Sequence, residues 1–273
     1  MLDSTEVAIT EFLSERQKQD SRNHAVPLLD ILRVPDHCFL ISPLYRTLEH
    51  GHERLDTIGE GFDFVDQTLE GLAYLHQLRI AHRDVTIGNI VMDGKRMFPH
   101  GFHMERPHRD ERGRSLSGVR TRTQVGGVKY YYIDFGESMR FDSDGDIRID
   151  VRSKANIHAP ETRGADRPPY DPFKTDIYAL GMTYTKLLLK DYEGNFDILT
   201  PLLNEMTSED PALRPSAAQA LSKFKEIKSS FSRTALHARV RHDSTPETGT
   251  QRILRNSWHW LKQCTYAARN FKW

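Results

Sequence analysis

The chain has 273 residues, with 38 Lys plus Arg balanced by 38 Asp plus Glu and an apolar fraction of 38%. That is a globular composition, and the zero charge balance argues against a protein that binds nucleic acid with its whole surface. Two cysteines, Cys38 and Cys264, exclude a disulfide framework and a four-cysteine zinc site, and no apolar run approaches the ~18 residues of a membrane span. With no signal-peptide pattern after Met1, cytoplasm or nucleus is the expected compartment. Charge is nevertheless segregated. Residues 93–129 carry nine Lys/Arg and four Asp/Glu, and residues 233–273 carry eight and two, so two basic segments sit on an acidic body.

In chain order, TEVAITEFL (5–13) predicts a helix that starts almost at the chain's first residue. The runs AVPLLDIL and HCFLISPLY, separated by Pro35-Asp36, predict two adjacent strands. Phe62, Val65, Leu69, Leu72 and Leu75 recur at three- and four-residue spacings and predict an amphipathic helix ending near His76. Residues 93–127 mix Gly, Pro, His and Arg without periodicity and are expected to form a long surface insertion. Its His100, His103 and His108 are read as solvated and not as a metal site.

Further along, VKYYYIDF (128–135) predicts a strand delivering Asp134 to its end. TDIYALGMTYTKLLLK (175–190) predicts a buried helix with Thr175 or Asp176 near its start. Helices are expected at 196–206 and, after Arg214-Pro215-Ser216, at 216–228. A polar linker over 233–250 then leads to a basic amphipathic tail, 251–273, which holds all three tryptophans. Leu254, Trp258, Leu261 and Ala268 fall near one stripe of that tail, suggesting contact with a membrane surface or a partner's groove, or docking on the protein's own surface.

The chemistry concentrates in His82-Arg83-Asp84-Val85-Thr86-Ile87-Gly88-Asn89, in Asp134-Phe135-Gly136 and in Ala159-Pro160-Glu161. Phosphoryl transfer needs a carboxylate to take the proton of an attacking hydroxyl, and oxygen ligands for Mg²⁺ on the phosphates. In this order the motifs resemble the eukaryotic protein kinase family, and within it kinase-like proteins of basidiomycete fungi, over residues 5 to about 230. Asp176 in Thr-Asp-Ile-Tyr-Ala-Leu-Gly and Arg214 in Asp-Pro-Ala-Leu-Arg-Pro extend the match.

The resemblance implies an α+β, kinase-like fold: a mostly helical large lobe, with only the end of the small lobe present in 1–232. It implies ATP and Mg²⁺ as cofactors and a protein substrate. Asp84 would be the base, and Asn89 and Asp134 the magnesium ligands. Asp176 would brace the catalytic loop around His82, and Arg214 would pair with Glu161. Phe135 belongs to the second motif. Arg83 would meet a phosphorylated Ser138, Ser143 or Ser153, or the acidic Asp142, Asp144 and Asp146. Ser42 would sit at the gate behind the adenine, the backbone at Pro43 to Tyr45 would meet its edge, and Val91 would pack on its lower face. The helix at 5–13 would supply the Glu that pairs with an ATP-binding Lys, with Glu6 ahead of Glu11.

Three departures oppose catalysis. There is no glycine-rich loop, and no lysine between Lys18 and Lys95. Thr86 stands where Ser/Thr-directed members usually have Lys, a charge-assisted contact worth about 1.5–3 kcal/mol. The sequence Ile58-Gly59-Glu60-Gly61 is not a phosphate loop, since it runs into the helix before the catalytic loop, and Gly59 is read as a loop residue. Two readings therefore stand, an ATP-dependent protein kinase and a silent binding or scaffold module, with a membrane-surface adaptor as a third. The two-stranded remnant at 25–45 exposes an unpaired edge, which predicts disorder or association in the first 45 residues.

Overall fold

A computed structural model describes residues 4–17, 19–48, 54–142, 145–164, 167–192, 194–243 and 247–270, with backbone alone for 267–270. Ser143, Asp144, Trp273 and the side chain of Ala268 thus lie outside the described residues.

Helix α1 (Thr5–Glu15) is capped by Ser4 and buries Val7, Ile9 and Leu13. It leads to a hairpin of β1 (Asp30–Val34) and β2 (His37–Ile41), paired antiparallel from Val34↔His37 to Asp30↔Ile41 around the predicted Pro35-Asp36 turn. Strand β3 (Arg46–Thr47) begins the second sheet. Helix α2 (Ile58–Gln77) follows, with Thr57 accepting from Glu60 N. Gly59 is therefore in the first helical turn, because the Thr57 cap starts the helix ahead of the apolar stripe.

The stripe forms as its spacing dictates. Phe62, Val65, Leu69, Leu72 and Leu75 are each at most 1% exposed, a burial worth about 1.5–3 kcal/mol per large apolar side chain. Gly71 lets the chain cross closely: a Cβ there would lie 2.6 Å from His24 Cβ. Short β4 (Ile80–Ala81) leads into the catalytic loop, and β5 (Ile90–Met92) and β6 (Tyr130–Tyr132) leave it, giving the sheet order β3-β5-β6. His24 and Val26 extend this sheet through backbone bonds to Tyr132. Strand β7 (Met139–Arg140) pairs with β4.

The insertion between β5 and β6 departs from its expected surface character. Met97, Phe98, Phe102 and Val125 are core residues, and Arg46, 3% exposed, lies under the Phe98 and Phe102 rings at 4.8 and 5.2 Å. Thr123 donates through N and Oγ1 to Glu60 Oε1, both at 2.8 Å, so a carboxylate at the start of α2 anchors the segment. Polar anchoring of this kind has no periodicity to betray it. His103 serves a turn, its Nδ1 accepting from Glu105 N and Arg106 N.

Helix α3 (Pro172–Tyr184) starts at Asp171, whose carboxylate accepts from Phe173 N at 2.8 Å, and Pro172 takes the first helical position. The cap is thus Asp171 and not Thr175 or Asp176, which leaves Asp176 free for the catalytic loop. Residues Thr185–Lys190 continue as a π-helical stretch. Gly181 admits α4 (Thr200–Met206), since a Cβ there would lie 2.9 Å from Met206 Cβ. The front of the predicted 196–206 helix is a 3₁₀ turn, Asp197–Leu199, with Pro201 just inside α4. Helix α5 (Ala217–Ser229) has a complete capping box between Ser216 and Gln219 and sets Phe224 edge-on against Phe62, 5.5 Å between centroids.

The expected linker is strapped down. It contains α6 (Arg233–Leu236), and Ile58 N donates to Ala238 O while Val240 N donates to Asp56 O. Helix α7 (Gly249–Asn270) then docks through polar groups. His259, 4% exposed, meets His237 O at 2.8 Å and Asp56 Oδ2 at 3.6 Å, and Gln263 Oε1 meets His237 Nδ1 at 3.2 Å. No described helix is long and apolar enough to cross a membrane.

Candidate active site

Asp176 organises the catalytic loop from beneath. Its carboxylate, 1% exposed, accepts from Arg83 N at 2.7 Å and His82 N at 2.8 Å, with His76 Nε2 at 3.0 Å. Two N–H groups pulled toward one carboxylate hold Arg83 at φ +66°, a left-handed conformation that a long side chain adopts only when its surroundings impose it. His82 is completely buried, and burial holds its imidazole below the usual range despite nearby carboxylates. It donates from Nε2 to Ile133 O (3.1 Å) and accepts at Nδ1 from Asp84 N (3.4 Å), the bonding of one neutral tautomer.

Asp84 is presented at the end of this brace. Asn89 Nδ2 donates to Asp84 Oδ2 at 2.8 Å and to Asp84 O at 2.9 Å, and Asn156 N donates to Asp84 Oδ1 at 3.0 Å. The five-residue spacing closes the loop on itself. Pairing of Ile90 with Tyr132 and the bond from Ile133 N to Asn89 O bring Asp134 alongside Asn89 at the ends of two neighbouring strands. Asp134 is itself left-handed, φ +61°, with Gly136 N donating to its Oδ1 at 3.2 Å. An amide oxygen and a carboxylate at adjacent strand ends form the oxygen-donor set that suits Mg²⁺. Phe135, 1% exposed, seals the site from below, its ring 5.1 Å from that of His82.

Of the two candidate glutamates, Glu6 faces the site. Its Oε2 lies over Gly136 near Asp134, while Glu11 pairs outward with Arg33 at 2.7 Å. Burial, and then the Asp134 charge, raise the Glu6 carboxyl above its usual range. Ser42, Pro43, Tyr45 and Val91 come together around one cavity of about 360 Å³. Its wall also includes Val26, Ile133 and three insertion residues, Phe102, Met104 and Pro107, which no sequence signal marked.

Arg83 departs from its expected partners. Its guanidinium donates to the carbonyls of Glu137 (2.9 Å) and Val151 (3.2 Å), both in the activation segment, residues 134–161, and not to the described acids Asp142 and Asp146. The two described serines serve the same end: Ser138, 2% exposed, donates to His82 O, and Ser153 donates to Arg83 O, both at 3.0 Å. Beyond the loop, Arg214 and Glu161 form the implied pair at 2.7 and 2.8 Å, and Arg214 donates further to Ser208 O and Lys174 O. Thr86 is buried, and its hydroxyl makes no cap bond.

The site is thus a braced loop ending in a carboxylate, with an oxygen-donor pair beside it. The model of the protein kinase domain family matches residues 3–193, and the chain belongs to that family. It is also similar to a protein named light-sensor protein kinase from Ceratodon purpureus, 25% identical over 210 residues, covering 63% of this chain. The chain spans only 14% of that relative's length.

Proposed function

We propose that the chain is a protein kinase that transfers the γ-phosphate of ATP to a Ser or Thr hydroxyl of a protein, through the kinase-like unit at 1–232. The observation that carries this reading is the two-sided hold on Asp84, one oxygen on Asn89 Nδ2 and the other on Asn156 N. That hold aims a carboxylate at the place where a substrate hydroxyl would surrender its proton. Asn89 and Asp134 would hold Mg²⁺, which when bound neutralises phosphate charge. Ser42, Pro43, Tyr45 and Val91 would receive the adenine.

The rival, a silent binding module, is favoured by Glu6 facing Asp134 and by Thr86. Calorimetry with Mg²⁺ and ATP, using Asp134→Asn as control, separates the two. Binding that the control abolishes, followed by phosphate transfer lost in Asp84→Asn, supports the kinase. Absence of binding supports the silent module.

A second reading concerns α7, which we propose lies on an anionic membrane surface. Ile253, Leu254, Trp258 and Leu261 are 57–68% exposed, with Arg255 and Lys262 on the adjoining line. Sedimentation with phosphatidylserine vesicles should retain the chain and should fail for the Trp258→Ala, Leu261→Ala double variant. Equal retention by both proteins overturns the reading.

A further inference from the structure

A second concave site lies along the activation segment. A cavity of about 600 Å³ is lined by Arg152, Ser153, His158, Thr162, Arg163 and Arg167 together with Gly164 and Tyr170, and no carboxylate is among the described residues lining it. Three guanidiniums and an imidazole around one concavity are an electrostatic arrangement for an oxyanion, while the hydroxyls of Ser153, Thr162 and Tyr170 donate to the carbonyls of Arg83, Ala159 and Val151 and shape the wall.

Two of the three guanidiniums, Arg152 and Arg163, have no ion pair among the described residues. Arg163 reaches over His158 O, at 3.0 and 3.2 Å, which fixes its plane without neutralising it. The side chain of Arg167 is only 5% exposed, and its buried Nε has no partner among the described residues. Arg167 also pairs with Asp150 at 3.5 Å, a carboxylate that is itself 68% exposed and does not line the cavity. Arg152 is exposed at the rim.

Position gives the site its meaning. Ser153 on its wall donates to Arg83 O, and Asn156, between Ser153 and His158, donates to Asp84. The same stretch of backbone therefore forms the cavity wall and holds the base. We propose that this cavity binds an anionic side chain, carboxylate or phosphate, of the protein substrate, on the segment that presents the acceptor hydroxyl to Asp84. The inference rests on the phosphotransfer reading for its substrate, but the binding it requires does not depend on turnover.

The test is fluorescence anisotropy on the full chain without nucleotide. Three serine-containing peptides of one length are compared: one flanked by glutamates, one by a phosphoserine, one by alanines. The first two should bind roughly ten- to hundredfold tighter than the third, with steep loss in salt. Their order tells carboxylate from phosphate. Arg163→Ala combined with Arg167→Gln should erase the preference. Arg152→Ala, at an exposed position that folding does not need, should reduce it by itself. Equal affinity for all three peptides, or an unchanged preference in the folded Arg152 variant, overturns the proposal. Selective binding by a chain that transfers no phosphate would uphold this site and count against the kinase reading alone.

Discussion

Glu6 and Asp134 direct their carboxylates into the same small space above Gly136: a Cβ at that glycine would stand 3.8 Å from Glu6 Oε2 and 3.1 Å from Asp134 Oδ1. Burial and the Asp134 charge both disfavour ionised Glu6, so the folded protein holds that proton more tightly than the unfolded chain does. Stability should fall as pH rises from about 4.5 through the raised folded value, and the loss should persist above it. Thermal melts of the native chain and Glu6→Gln across pH 4–8 should diverge, with the variant gaining relative stability on the alkaline side. Parallel curves would refute the placement of Glu6.

The Asp176 brace makes a different prediction. Asp176→Ala leaves the buried N–H groups of His82 and Arg83 without their acceptor, at a cost of about 3 kcal/mol. Arg214→Ala strands Glu161 and should cost about 3–5 kcal/mol, as loss of one partner from a buried ion pair does. Urea titrations give both numbers. Losses below about 1 kcal/mol would mean that these contacts are not maintained.

Docking of α7 should be pH-dependent. Burial pushes the His259 imidazolium down, but the Asp56 carboxylate and the His237 carbonyl outweigh it, and the net direction is upward from 6.5. Its contribution is complete below about pH 6.5 and is lost as pH rises through the higher folded value. Hydrogen exchange in 249–266 should therefore accelerate from pH 6 to pH 9 beyond the intrinsic rate. His259→Gln should flatten that change, and an unaltered profile in the variant would exclude His259 as the anchor.

The hairpin bears on self-association. Leu32, Phe39 and Ile41 are 54, 53 and 43% exposed on a sheet that has two strands among the described residues. Light scattering after size exclusion should show concentration-dependent association that Phe39→Lys with Ile41→Lys suppresses. A monomer at all concentrations would leave the exposed strands without this consequence.

Much of the lobe was legible because its signals are local. The α2 stripe, the Ser216 capping box and the Pro35-Asp36 turn each need only a few neighbouring residues, and the motif order from Asp84 to Arg214 gave the family by resemblance. The insertion was illegible for the opposite reason. Its anchors, Thr123 on Glu60 and Arg46 beneath Phe98, join residues more than fifty positions apart, and single polar anchors leave no repeat.

By itself, then, the sequence determined the family, the order of its elements and the identity of the groups around Asp84, because helical periodicity, capping chemistry and motif spacing are written in contiguous residues. Tertiary structure alone decided the rest. It moved the cap of α3 to Asp171 and gave Arg83 to backbone carbonyls. It set Glu6 against Asp134 and turned the apolar stripe of α7 outward. Each of these outcomes depends on which distant group first satisfies a buried donor or charge, a competition that is resolved only when the whole chain packs.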